Sequence, residues 1–246
     1  MTLLDIKEGA TYIDDEAFAN RNDLEDIIIP STIQRISDRA FASCHNLKSV
    51  TIQSTSIHID DYAFASCYNL ESVTIQSDHI DIGENAFTSC YNLKSVVIQT
   101  NYIGIEDYAF ASCYSLESVT IQSNHIGIGE NAFTSCHNLK NFCLPNNITM
   151  INEHTFDGCH SLTHIAIPDS VQGILDWAFA HCRSLKSITI GKGLKVIGQD
   201  AFSHCSNLKT IRYRGTEEQW NSIKKEDLWN CGVPADCIIQ YNYAGE

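Results

Sequence analysis

The sequence predicts an α/β solenoid of nine 23-residue coils, with a parallel β-sheet on one face, short helical or 3₁₀ turns opposite and a helical cap at the C-terminal end. Three observations predict it. Phenylalanine recurs at 18, 41, 64, 87, 110, 133, 156, 179 and 202, always 23 residues after the last. Around each Phe the same apolar columns return: an isoleucine five residues before it, from Ile13 to Ile197, and a leucine six after it, from Leu24 to Leu208. Each copy then carries an alternating polar and apolar stretch such as Ser49-Val50-Thr51-Ile52-Gln53. A fixed period of this length marks a repeat architecture, in which no unit buries its apolar side alone and stacked neighbours share one core.

The elements follow in order, numbered relative to the repeat Phe. Met1, Leu4 and Ile6 occupy +6, +9 and +11 of a preceding coil, so residues 1–13 read as an N-terminal half-turn of a solenoid spanning 1–214. This N-terminus lacks the basic start and apolar run of a secretory signal. A short strand is expected at Ile80-Asp81-Ile82 and its counterparts 103–105 and 126–128. In the stretch Ala-Phe-x-x-Cys-x-x-Leu the apolar residues lie three apart, which predicts a helical or 3₁₀ turn. Positions +8 to +12 alternate with period two and are rich in β-branched residues, the pattern of a half-buried strand. Strands that recur every 23 residues run parallel, about 4.8 Å apart, in an array roughly 40 Å long. Residues 215–246 read as a C-terminal cap. Thr216 and Gln219 have capping-box spacing, and Trp220, Ile223, Leu228 and Trp229 supply an amphipathic helix to close the core.

Charge narrows the partners. Sixteen Lys and Arg face 30 Asp and Glu, a net charge of −14, whereas nucleic acid and anionic membranes select clustered cations. Apolar runs reach only a few residues, as in Ile27-Ile28-Ile29, so no segment is expected to insert in a membrane. Residues 64–86 and 110–132 agree at 20 of 23 positions, which points to growth by duplication.

The pattern Ile-x-x-x-Ala-Phe-x-x-Cys-x-x-Leu-x-x-Val-x-Ile resembles the BspA-type leucine-rich repeat over residues 1 to about 214. It departs from the common leucine-rich repeat in placing its Cys three before the Leu. The tail Tyr213-Arg214-Gly215-Thr216-Glu217-Glu218-Gln219-Trp220 is similar to the C-terminal cap of bacterial members. The resemblance implies a right-handed leucine-rich-repeat solenoid, a surface or secreted location, and a role in adhesion or protein binding. A monomer with a host or extracellular-matrix protein as partner fits that expectation.

Several columns carry groups capable of chemistry. Cys fills +3 in eight coils (44, 67, 90, 113, 136, 159, 182 and 205). A linear column gives zinc no tetrahedral set, so these thiols read as small core hydrophobes. Cys231 and Cys237 lie outside the ladder and suit a bridge in an exported protein. Acidic residues fill −3 in eight coils: Asp15, Asp38, Asp61, Glu84, Asp107, Glu130, Glu153 and Asp176. They read as anions at the start of the predicted helical turns, with a calcium stripe as the alternative. Position +7 alternates Glu25, Lys48, Glu71, Lys94, Glu117 and Lys140, which supports register.

Two columns read as partner contacts. At +4 stand His45, Tyr68, Tyr91, Tyr114, His137 and His160; Tyr offers contact area at low entropy cost. The solvent face of the main sheet presents Ser49, Thr51 and Gln53; Ser72, Thr74 and Gln76; Ser95, Val97 and Gln99; and Ser118, Thr120 and Gln122. This face is neutral and lacks aromatics, so protein contact outranks glycan contact there. Asp26, His164, Arg212 and Arg214 vary it toward the ends. No catalytic, metal or cofactor set emerges: Gly-x-Ser-x-Gly, the P-loop and Gly-x-Gly-x-x-Gly are absent. The leading function is a non-enzymatic binding module. A structural spacer displaying another domain comes next, and a Cys–His enzyme built on pairs such as Cys44-His45 is remote.

Overall fold

The computed structural model describes residues 9–245; the expected contributions of Met1, Leu4 and Ile6 lie outside the described residues. The strands begin with β1 (Tyr12–Ile13), β2 (Asp26–Ile29), β3 (Arg35–Ile36), β4 (Ser49–Gln53), β5 (Ser56–Ile59), β6 (Ser72–Gln76) and β7 (His79–Ile82). Next come β8 (Ser95–Gln99), β9 (Tyr102–Ile105), β10 (Ser118–Gln122), β11 (His125–Ile128), β12 (Asn141–Phe142) and β13 (Met150–Ile151). The chain ends with β14 (His164–Ile167), β15 (Gly173–Ile174), β16 (Ser187–Ile190), β17 (Val196–Ile197), β18 (Thr210–Tyr213), helix α1 (Glu217–Ser222), β19 (Lys224–Lys225) and β20 (Ile238–Gln240).

The product is a parallel β-solenoid of about nine turns. One face carries the sheet β2-β4-β6-β8-β10-β12 and, beyond a break, β14-β16-β18-β20. A second face carries β1-β3-β5-β7-β9-β11 and then β13-β15-β17-β19. Pairing is residue for residue along the 23-residue period, with Ser49 on Ser72 and Val50 on Val73. A one-residue slip would turn every Val and Ile outward, so the buried columns hold this register. Between the faces the nine Phe rings stack with centroids 5.0–5.8 Å apart and planes within 8° of each other. All but Phe18 are fully buried.

The third face differs from expectation. Among the described residues it holds no helix or 3₁₀ segment; the structure is almost all strand and turn. Alternate amides here bond in two directions. Phe41 N–H donates to the Ala63 carbonyl of the next coil at 2.7 Å, whereas Ala42 N–H donates three residues back, to Arg39 at 2.9 Å. The cause is backbone handedness. Residues at −2 and +2, such as Tyr62 (φ 57°) and Ser66 (φ 59°), are left-handed and interrupt any helix twice per coil. Apolar residues three apart fit such a chain of turns as well as they fit a helical turn.

The corner between the two sheets has two forms. In four coils the flanking core isoleucines lie five apart (Ile52 and Ile57, for instance) and strands of five and four residues meet at Gln-Ser or Gln-Thr. In four others the flanking core residues lie four apart, as Ile29 and Ile33, and a β-turn closes the corner, with Ile33 N–H on the Pro30 carbonyl at 3.0 Å. Proline pre-sets such a turn and shortens the strand before it.

One seam crosses the array. Neither β11 with β13 nor β12 with β14 forms a ladder, whereas the turn face stays bonded there, Phe133 N–H on Thr155 at 3.0 Å. Phe142 stands at +9, where Val50, Val73, Val96 and Val119 stand in earlier coils. Its ring wedges edge-on between Phe133 and Phe156, 5.0 Å from each, and their separation of 5.8 Å is the widest in the column. A cavity of about 340 Å³ opens beside it, lined in part by Cys143, Leu144, Ile165 and Ile167. Across the seam the Asn152 side chain donates to the Ile128 carbonyl at 2.7 Å. Elsewhere a backbone amide makes this bond, as Gly129 does to Ile105.

At the C-terminal end Thr216 and Gln219 close the expected capping box on α1, which has only six residues. The helical cap is therefore mostly strand and turn: β19 pairs with β17, and β20 with β18. Trp220 is buried and meets Tyr213 and Trp229 edge-on, and Trp229 meets Phe202 in the same way. Leu228, expected in this core, is exposed.

Candidate functional site

The cysteine ladder is internal. Each thiol donates to the carbonyl of the preceding coil's Phe, as Cys90 Sγ does to Phe64 at 3.3 Å. Burial pushes the thiols from Cys67 to Cys205 up, those of Cys90 and Cys205 to about 12, which leaves them protonated and inert. At the N-terminal end of the ladder the neighbouring Cys67 thiol instead lowers the pKa of Cys44. Cys231 and Cys237 are free thiols, and Cys143 is exposed at +10 in the main-sheet face. A thiol reagent is expected to modify Cys143 and Cys231 rapidly in the native chain and the eight ladder cysteines only on unfolding. Rapid native labelling of Cys90 would show that the column is open.

Three of the eight −3 acids serve a neighbour rather than their own turn. Asp61 Oδ1 accepts from Glu84 N–H at 2.9 Å, Asp107 from Glu130 at 2.7 Å and Asp176 from Gln199 at 2.8 Å, each one coil along. The approach needs a small partner. A Cβ on Gly83 would lie 2.7 Å from Asp61 Oδ1 and 2.8 Å from the Asp60 carbonyl carbon. Among the described residues no group of three or more His, Cys, Asp or Glu could hold a metal ion. The +7 charges pair as Glu25–Lys48, Glu71–Lys94 and Glu117–Lys140 at 2.6–2.8 Å. Exposed pairs of this kind contribute little.

The +4 stripe is continuous. His45, Tyr68, Tyr91, Tyr114, His137 and His160 stack at 4.4–5.0 Å. Stacking covers the ring faces within the column, so Tyr68, Tyr91 and Tyr114, each about 40% exposed, turn edges and hydroxyls to solvent. Burial lowers the pKa of His137, and that of His160 falls through burial and then through nearby His137 and Arg183. This end of the stripe resists acquiring charge as pH falls.

On the main sheet, Ser49, Ser72, Ser95 and Ser118 form one outward row and Thr51, Thr74, Val97 and Thr120 the next. Gln53, Gln76, Gln99 and Gln122 stand apart from them. They turn at the corner and line an open groove of about 740 Å³ with residues of the linker to the second sheet.

A family model described as the BspA type leucine rich repeat region, in six copies, matches residues 11–140 and 126–239. The chain belongs to the BspA-type leucine-rich repeat family. No curated protein sequence matches it. Among solved structures it is similar to a leucine rich repeat protein of T. pallidum, with 21% identity, a TM-score of 0.56, and 86% of this chain and 87% of that chain covered. A leucine rich cell surface protein of Faecalibacterium prausnitzii shares 25% identity at a TM-score of 0.41, covering 88% and 86% of the two chains. The first likeness shows the fold.

Within this BspA-type array, sequence reading missed the corner groove and Cys143. The groove was visible in the five-residue spacing of Ile52 and Ile57 against four for Ile29 and Ile33. Cys143 was visible as the one thiol in the Thr column.

Proposed function

We propose that the chain is a non-enzymatic binding module whose partner protein lies across the main sheet. The observation that carries this reading is the face of β4, β6, β8 and β10, where Ser and Thr rows stand in residue-for-residue register without a formal charge. A surface fixed by parallel ladders is ordered before it meets a partner, so little conformational entropy is lost on binding. A mixed hydroxyl and apolar composition suits interfaces that are no more apolar than the remaining surface. Adhesion and a place at the cell surface belong to the same reading and rest on the family alone. A spacer role is the second reading, favoured by the near-identity of residues 64–86 and 110–132.

The test replaces Thr51, Thr74 and Thr120 by Lys and measures binding to a panel of immobilised extracellular-matrix proteins. Three uncompensated charges in the contact are expected to weaken binding by about tenfold or more at unchanged melting temperature. Undiminished binding by this variant removes the sheet face as the site, and Tyr68→Ser with Tyr91→Ser and Tyr114→Ser then tests the stripe. Absence of binding by the native chain favours the spacer.

A further inference from the structure

The corner groove lies apart from the Ser and Thr rows of the main-sheet face. Its floor is self-satisfied: Ser54, Ser77 and Thr100 hydroxyls donate to the carbonyls of Ser56, His79 and Tyr102 at 2.8–2.9 Å. Its walls are not. On one side Gln53 and Gln76 amides hold no hydrogen bond among the described residues, and Gln99 reaches Gln122 only at 3.3 Å. On the other side the Thr55 hydroxyl is likewise unengaged, and the Asn101 side chain meets that of Asp78 at 3.3 Å. The groove runs along the Gln corners and ends against Ser31 of the preceding coil. Pro30 and Pro145 head the coils before and after, where a β-turn replaces both walls.

The structure thus presents four successive Gln side chains, one per coil, at the 5.0–5.2 Å spacing of the adjacent Phe rings, with Thr55, Asp78 and Asn101 opposite the first three. A ligand that uses all four must be a polymer of similar repeat. An extended peptide advances about 3.3 Å per residue, so it returns to phase only at every third residue and second coil and meets alternate steps at best. Nucleic acid is disfavoured because, among the described residues, no cation lines the groove and Asp78 does. An extended β-1,4-linked glycan matches, since one pyranose ring spans much the same length as one coil. Alternate rings of such a chain are flipped, and a primary amide, being both donor and acceptor, meets either orientation.

We propose that this groove binds an extended, uncharged β-1,4-linked glycan, one sugar per coil over four coils. Without aromatic faces to stack on, binding rests on hydrogen bonds exchanged with water, and affinity is modest.

The test titrates the native chain with chito- and cello-oligosaccharides of two to six units, followed by calorimetry and by chemical shifts of the Gln side-chain amides. Affinity for one of the two series is expected to rise with length and level off at four units. Gln76→Ala with Gln99→Ala is expected to lower it by about tenfold, the share of one or two hydrogen bonds, at unchanged melting temperature. The Thr→Lys variant of the main face is expected to bind the oligosaccharide normally, which separates this site from the protein-binding reading. Three results would overturn the proposal: no binding of either hexasaccharide at millimolar concentration, binding indifferent to the Gln pair, or an extended neutral peptide displacing the sugar from the groove.

Discussion

Phe87→Ala is expected to cost about 3–5 kcal/mol of unfolding free energy, the range for deleting a buried aromatic side chain. Phe87 is fully buried and stacks on both Phe64 and Phe110, at 5.1 and 5.2 Å, so the cavity opens in two interfaces at once. The ladders above and below hold the backbone and limit collapse into the void. Phe18, 8% exposed where Phe87 is fully buried, and stacked only on Phe41 among the described rings, is expected to cost distinctly less when changed to Ala. Denaturant unfolding of the two variants checks the order. Equal costs would mean that the Phe column is not a chain of nearest-neighbour interfaces.

The second large effect concerns the seam. Coils before β12 and those from β14 onward share the turn-face bonds and the Asn152 bridge, but no sheet ladder joins them. In a linear array the weakest interface sets where cooperativity fails. Denaturant is therefore expected to unfold the chain in two steps. Amides of β14 facing the seam are expected to exchange faster than those of β16. Phe142→Val, which installs the residue found at +9 in the four preceding coils, loses about 2 kcal/mol of burial. It also lets β12 and β14 close into a ladder whose bonds contribute about 1 kcal/mol each. The two steps are then expected to merge into one, and the β14 amides to become protected. A variant that still unfolds in two steps would show that Phe142 is not what holds the strands apart.

The coils, their register and the buried columns were legible because each apolar position repeats nine times, and a repeated column has one place to go. The turn face was not. Three-residue apolar spacing is common to a helical turn and to successive bends, and the left-handed positions at −2 and +2 carry residues other than glycine everywhere but at Gly158. The −3 acids were visible as a column, but the acceptor role of Asp61, Asp107 and Asp176 one coil along depends on Gly83, Gly129 and Gly198 in the next repeat. Likewise the Tyr stripe was readable, whereas the consumption of its ring faces by stacking required coordinates. Phe142 stood out as a large residue in a Val column. Its effect of holding the flanking strands apart follows only once its neighbours Phe133 and Phe156 are in place.

The most direct measurement is a set of spin-label distances along one column. Labels pair Lys48 with Lys94, Lys140 and Lys186 in turn, after Cys143, Cys231 and Cys237 are replaced by Ser. These partners sit two, four and six coils away, and strand spacing sets separations of roughly 10, 20 and 30 Å, in proportion to coil number. Distances that stop growing after the first pair, or that vary without regard to coil number, would contradict direct stacking of the repeats.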